Sequence, residues 1–246
     1  MKTKPLVILA FVFGLSMLAA EPQVHQSGQG PRHVRVMVEM IAMPLATHSA
    51  LLDDEKASES DVVLRSEVSR LIQTRQAKLV DTHILIARSG EKSTSESRRE
   101  FIFPTEYEPS EVPKVVLTQP NGSRVEGHDR SLATGPTPTA FVCRHLGSTL
   151  EIEPKITTDT NYIDLKLTPA NIVHTKNAIF ATWKDQHGTA DIMMPYFYVL
   201  RLTTGLTVRN GNPALLGSLS PKNQQGEVDY SRKIMVFVKA NIINPR

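Results

Sequence analysis

Near the end of this 246-residue chain, Leu206-Thr207-Val208-Arg209 and Pro213-Ala214-Leu215-Leu216 flank an Asn210-Gly211 pair. An Asn-Gly pair between β-prone segments predicts strand, tight turn, strand, because both residues tolerate the positive φ such turns demand. The strand signal recurs along the chain. Residues 162–168 alternate apolar and polar side chains as a half-buried strand does. Strands are also predicted over 34–43, 77–87, 99–103, 141–153 with a continuation to 157, 178–183, 193–203 and 233–243. Only one segment carries a helical period: Leu64, Val68, Leu71 and Ile72 share one face, with Asp61 as a candidate cap and an end near Arg75. One main helix among many antiparallel strands predicts an α+β, predominantly β fold with long hairpins. Pro44 and Pro104 are predicted to end strands, residues 49–59 are polar and acidic, and turns are predicted at 88–91 and 159–161. Residues 104–139, rich in proline, glycine and charge, read as a long loop excursion with at most a short strand at 115–117.

The first residues address the chain elsewhere. Lys2 and Lys4 precede an apolar run over 6–18, and Ala19-Ala20 offer small residues before Glu21. This is the layout of a secretory signal peptide over 1–20, followed by a flexible lead over 21–33 and a working domain over 34–246. The run is shorter than the roughly 20 residues a membrane-spanning helix needs, and no later run is long enough either. Any membrane insertion would therefore use strands. Cys143 is the sole cysteine, so an exported chain has no internal disulfide to rely on. Its strand setting, Phe141-Val142-Cys143, predicts a small buried hydrophobe. Hydrophobic content of 40% with 22% charged residues excludes wholesale disorder. A balance of 28 Lys and Arg against 25 Asp and Glu, scattered along the chain, argues against a nucleic-acid partner.

Four blocks in order resemble the core of the secretins, the outer-membrane channel proteins of type II and type III secretion and of type IV pili. The first is 34–39, a strand ending in Glu39. The second is Gln76-Ala77-Lys78-Leu79-Val80-Asp81-Thr82-His83, with the turn Ser89-Gly90-Glu91 and the step Phe103-Pro104-Thr105. The third is Phe141-Val142-Cys143-Arg144-His145-Leu146-Gly147-Ser148-Thr149-Leu150 with the alternating run to Pro154, followed by the strand 162–167. The fourth joins 195–208, 211–219 and the closing strand 233–243. The resemblance implies a secretin-like antiparallel core whose strands join a shared barrel, leaving no free edge. It implies self-assembly or assembly with other secretion or pilus proteins, an outer-membrane or periplasmic location, and a structural role in protein secretion and transport. A soluble periplasmic binding module that forms no pore is the alternative. Three departures stand out, the first being that the periplasmic ring modules usually preceding the secretin core are not found ahead of residue 34. The interval 220–232 is polar where secretins carry an apolar Pro-Ile-Leu-Gly-Leu-Phe-like segment, and Gly217-Ser218-Leu219 replaces Gly-Gly-Leu.

No catalytic, cofactor-binding or metal-binding residues, no cofactor and no small-molecule substrate are predicted. The eight histidines (His25, His33, His48, His83, His128, His145, His174, His187) show no HExxH spacing and no cysteine pairing for zinc. Asp53-Asp54-Glu55 lacks the spacing and glycine of an EF-hand and reads as a solvated acidic turn. Asn121-Gly122-Ser123 matches a glycosylation acceptor that has no bearing in a bacterial protein. Trp183, Tyr196, Phe197 and Tyr198 read as sheet-face packing, with a membrane-interface belt as the other reading. An unfamiliar site in 104–139, around Glu106, His128 and Asp129, is the remaining enzymatic option.

Overall fold

A computed structural model of the chain describes residues 32–129, 133–185 and 188–243. The signal segment and all but the last two residues of the lead lie outside these residues. The described fold is α+β and predominantly β, as the strand count predicted.

Sheet A has the antiparallel order β10-β11-β1-β2, built from β1 (His33–Pro44), β2 (Lys78–Arg88), β10 (Pro213–Leu219) and β11 (Arg232–Ile243). Its two middle strands are covered on both faces. Val34, Val36 and Val38 of β1 and Val236, Val238 and Ala240 of β11 face sheet B, while Ile41, Met235 and Phe237 face the helices. This explains the unbroken apolar run Ile234-Met235-Val236-Phe237-Val238: a strand buried on both sides has no polar face to alternate with.

Helix α3 (Asp61–Gln73) lies on that second face through Leu64, Val68 and Leu71. Its cap is Ser60, whose hydroxyl accepts from the Val63 amide, whereas Asp61 occupies the first turn and favours the positive end of the helix dipole. The Arg65 guanidinium, 5.8 Å over the Phe237 ring, donates to both carboxylate oxygens of Glu39 at 2.9 and 3.0 Å. Glu39 and Phe237 face each other across the β1–β11 ladder, so a single arginine clamps the helix to both strands. Two further helices stand where the sequence suggested only a polar stretch: α1 (Leu45–Asp53), started by the break at Pro44, and α2 (Glu55–Ser58). Asp54 caps α2 by accepting from the Lys56 and Ala57 amides, so the acidic triplet works as a helix start.

Sheet B contains β3 (Ser93–Glu108), β6 (Thr137–Ile156), β7 (Tyr162–Asp185) and β8 (Gly188–Arg201), with β9 (Thr204–Arg209) also pairing β7. A separate hairpin joins β4 (Lys114–Thr118) to β5 (Arg124–His128). Ile163, Leu165 and Leu167 are buried against sheet A, as the alternation over 162–168 predicted.

Several boundaries differ from the sequence reading. Pro104 does not end its strand; it sits at a register shift, pairing Phe141 while Glu106 pairs Ala140, which lets β3 run on. The supposed 104–139 loop therefore consists of the end of β3, the β4–β5 hairpin and the start of β6. The segments 162–168 and 178–183 belong to one strand, β7, which absorbs register shifts after His174 and Ile179. The Asn210-Gly211 turn is correctly placed but is not a hairpin: β9 pairs β7 in sheet B, and β10 pairs β11 in sheet A. Only Gly211 has positive φ (83°). The Asn210 amide donates to the Asn161 carbonyl, and its side-chain oxygen accepts from the Ile242 amide. The pair is a corner between two sheets.

His48 of α1 is buried and shares a 2.8 Å hydrogen bond with the Ser218 hydroxyl of β10. Burial, followed by the Lys233 charge, holds its imidazole below the ordinary histidine value. The folded chain therefore resists a proton that the unfolded chain takes up below about pH 6.5. This stability contribution is complete above that pH and is lost as pH falls through the folded value. His48→Gln, which can still bond Ser218, is expected to flatten the fall in Tm between neutral pH and roughly pH 5. Parallel pH profiles of wild type and variant check this by differential scanning calorimetry, and superimposable profiles would contradict it.

Candidate functional site: two ribbons with open edges

The β6–β7 ladder runs from Ile156↔Ile163 only as far as Gly147↔Ile172. Beyond that point sheet B forks. One ribbon continues as β3–β6, paired to Glu108↔Thr137, and the other as β7–β8, paired to Asp185↔Gly188. The ribbons meet face to face rather than edge to edge. Phe101 stacks on His174 with centroids 4.6 Å apart and meets Phe197 edge-on at 5.7 Å. Phe103 lies 5.7 Å from Phe197, and the Arg144 guanidinium sits 4.6 Å over the same ring. These alternate residues (Phe101 and Phe103, with Arg144 opposite Phe101) fall on one ribbon face by strand periodicity.

A polar knot sits at the fork. Ser148, next to Gly147, donates to an Asp81 carboxylate oxygen at 2.7 Å and accepts from the Asn171 amide at 2.7 Å. His83 lies 3.2 Å from the same carboxylate oxygen. The knot joins β2 of sheet A to β6 and β7 of sheet B where they separate. Aspartate, histidine and serine are together here, but the serine bonds the aspartate and not the imidazole. The nucleophile–base contact that acyl-transfer chemistry needs is not made.

The fork leaves backbone unpaired. Among the described residues, β3 and β8 have a ladder on one side only, and so do β6 before Gly147 and β7 after Ile172. The same ribbons expose Ile102, Phe141, Val142, Ile179, Phe180 and Val199, with Phe180 at 72%. Unpaired edges beside exposed apolar side chains are what isolated soluble proteins avoid, since they template pairing with another chain. The interval 220–232 folds back on the β7–β8 ribbon: the Tyr198 hydroxyl donates to the Ser220 carbonyl at 2.6 Å, and Lys176 lies 4.0 Å from Glu227. Burial there, with the nearby Tyr230 and Asp229, raises the Tyr198 hydroxyl above its usual pKa.

The sequence-predicted residues fall as follows. Phe197 packs between the ribbons, Tyr198 is tied down by Ser220, Trp183 is half-buried, and Tyr196 is exposed with Lys176 near its ring. Glu106 lies on β3 and His128 ends β5, with no hydrogen bond or ion pair between them among the described residues. His25 and His187 lie outside the described residues. Cys143 is exposed, contrary to the buried reading. Its flanking apolar residues suggested a core strand, but Phe141, Val142 and the facing Ile102 are themselves exposed, and Cys143 lies on the other ribbon face from Phe101. Among the described residues no helix is long and apolar enough to cross a membrane, which says nothing of crossing by strands.

No protein-family model matches this chain, and no curated protein matches it. Solved structures do. The structures it resembles include secretins. The chain aligns over 88% of its length with the secretin-domain β-barrel of InvG from the Salmonella SPI-1 injectisome, at 10% identity and a TM-score of 0.44, covering 64% of that chain. It aligns over 87% with the V. cholerae type IV competence pilus secretin PilQ, at 13% identity and a TM-score of 0.37, covering 61% of that chain. For the type II secretin GspD of E. coli K12 the figures are 87%, 10% and 0.40, with 51% of that chain covered. The chain thus spans less than two thirds of these secretin chains.

Proposed function

We propose that this chain is a secretin-like structural subunit of a type II or type III secretion or type IV pilus outer-membrane apparatus, and not an enzyme. Residues 1–20 export it, and the domain over 34–246 joins copies of itself edge to edge into a barrel wall. The observation that carries this reading is the set of unpaired ribbon edges flanked by exposed apolar residues. Closing such edges around a ring satisfies every backbone group and removes the aggregation hazard they pose. The four sequence blocks resembling the secretin core support it independently. The partners are copies of this chain or other secretion or pilus proteins, with no nucleic acid and no small-molecule substrate.

The mature protein, purified in detergent and reconstituted with liposomes, is expected to form rings visible by electron microscopy. A protein that stays monomeric in detergent, with lipid and with envelope partners removes the channel reading. The second reading is a soluble periplasmic module that docks on such an apparatus. It is favoured by the polar 220–232 segment, which is tied to the β7–β8 ribbon by Tyr198. Monomers that bind an envelope partner without forming rings would select it.

A further inference from the structure

The outward face of the β3–β6 ribbon carries three metal-ligating side chains together. Glu100 and His145 are direct cross-strand partners, and Cys143 lies two residues from His145 on the same face. One carboxylate oxygen, one imidazole nitrogen and the thiol sulfur all lie within 4.8 Å of one another. None of the three makes a hydrogen bond or ion pair among the described residues, although their neighbours do: Arg98 pairs with Glu96 at 2.9 Å and so does not neutralise Glu100. All three are exposed and free to change rotamer. Donors around a tetrahedral zinc lie roughly 3–4 Å apart, so small side-chain rotations bring this set to bonding geometry. Exposed Ile102, opposite Cys143, and Phe141, two residues before it, border the cluster with apolar surface.

We propose that Glu100, Cys143 and His145 form a binding site for a divalent transition metal of the zinc class. A thiolate and an imidazole select a borderline-soft ion over magnesium or calcium, which prefer all-oxygen shells. Three protein ligands leave the fourth position to water. The site stands apart from the assembly reading, because its ligands come from a single ribbon of one chain.

The test uses the full mature chain under a thiol-free reductant, titrated with cobalt(II) and with zinc(II). The expected result is a thiolate-to-cobalt absorption band that saturates at one equivalent and is displaced by zinc. Cys143→Ser should abolish the band, and His145→Gln and Glu100→Gln should each weaken binding by about tenfold or more, with no response to magnesium. These exposed substitutions should leave the circular dichroism of the metal-free chain unchanged. Should a variant misfold, wild-type Cys143 alkylation decides instead: zinc is expected to slow it at least about tenfold by occupying the sulfur. Absence of the cobalt band, variants that bind as tightly as wild type, or alkylation indifferent to zinc would each overturn the site.

Discussion

Gly147→Ala is expected to lower the unfolding free energy by about 3 kcal/mol or more. Gly147 has a φ of 128°, outside the range of ordinary side-chain-bearing residues. A Cβ there would lie 2.1 Å from the Ser97 carbonyl oxygen and 3.0 Å from the Arg98 Cα. Both are backbone atoms of the paired strand, so no rotamer change relieves the clash; the β3–β6 ladder must shift. Gly90→Ala is the control. That glycine also has a positive φ, 86°, but nothing lies within 4 Å of the added carbon, so only the backbone cost of roughly 1–2 kcal/mol applies. Urea titrations of the two variants separate conformational cost from collision. If Gly147→Ala is no worse than Gly90→Ala, the close approach at the fork is wrong. Because Gly147 is where the ribbons part, hydrogen exchange in the variant should rise first at 97–99 and 146–148.

Phe237→Ala is expected to cost about 3–5 kcal/mol, the range for emptying a large buried aromatic site. Phe237 is 1% exposed and lies under α3, with Arg65 above its ring and Glu39 opposite. Removing the ring both opens a cavity among Leu64, Val68 and Leu71 and takes the floor from the Arg65–Glu39 pair, whose side chains are only 18% and 14% exposed. The loss of Arg65→Ala should therefore be smaller in the Phe237→Ala background than in wild type, since the two share one clamp. Chemical denaturation of the four members of this cycle checks it; strict additivity, or a Phe237→Ala cost below about 1.5 kcal/mol, contradicts the clamp.

Local pattern made strand identity legible here, while pairing lay beyond its reach. Alternation at Ile163, Leu165 and Leu167 found a half-buried strand, and the run at 234–238 marked a strand that proved to be buried on both faces. The helix face of Leu64, Val68 and Leu71 was equally plain. Partners were not, because a ladder is chosen by distant sequence. The segments flanking Asn210-Gly211 look like a hairpin to any local rule, yet their apolar faces are claimed by β7 on one side and β11 on the other. Pro104 reads as a terminator because the bulge that accommodates it depends on Phe141 and Ala140. The Glu100–Cys143–His145 cluster was invisible for the same reason. Cys143 and His145 show the i, i+2 spacing of a shared strand face, but Glu100 joins them only through the β3–β6 register. The apolar residues around Cys143 suggested a core because single-sequence patterning does not tell a covered strand from an uncovered one.

The pairing of β1 with β11 sets the order in which this polypeptide can mature. One of the two middle strands of sheet A, His33–Pro44, finds one neighbour in the other, Arg232–Ile243, at the far end of the described chain. Contacts of such long sequence separation slow folding. A chain emerging through a narrow conduit with its first residues leading cannot complete sheet A until β11 is free. One backbone edge of β1 stays unpaired throughout that interval, so a holding chaperone would find its natural purchase there.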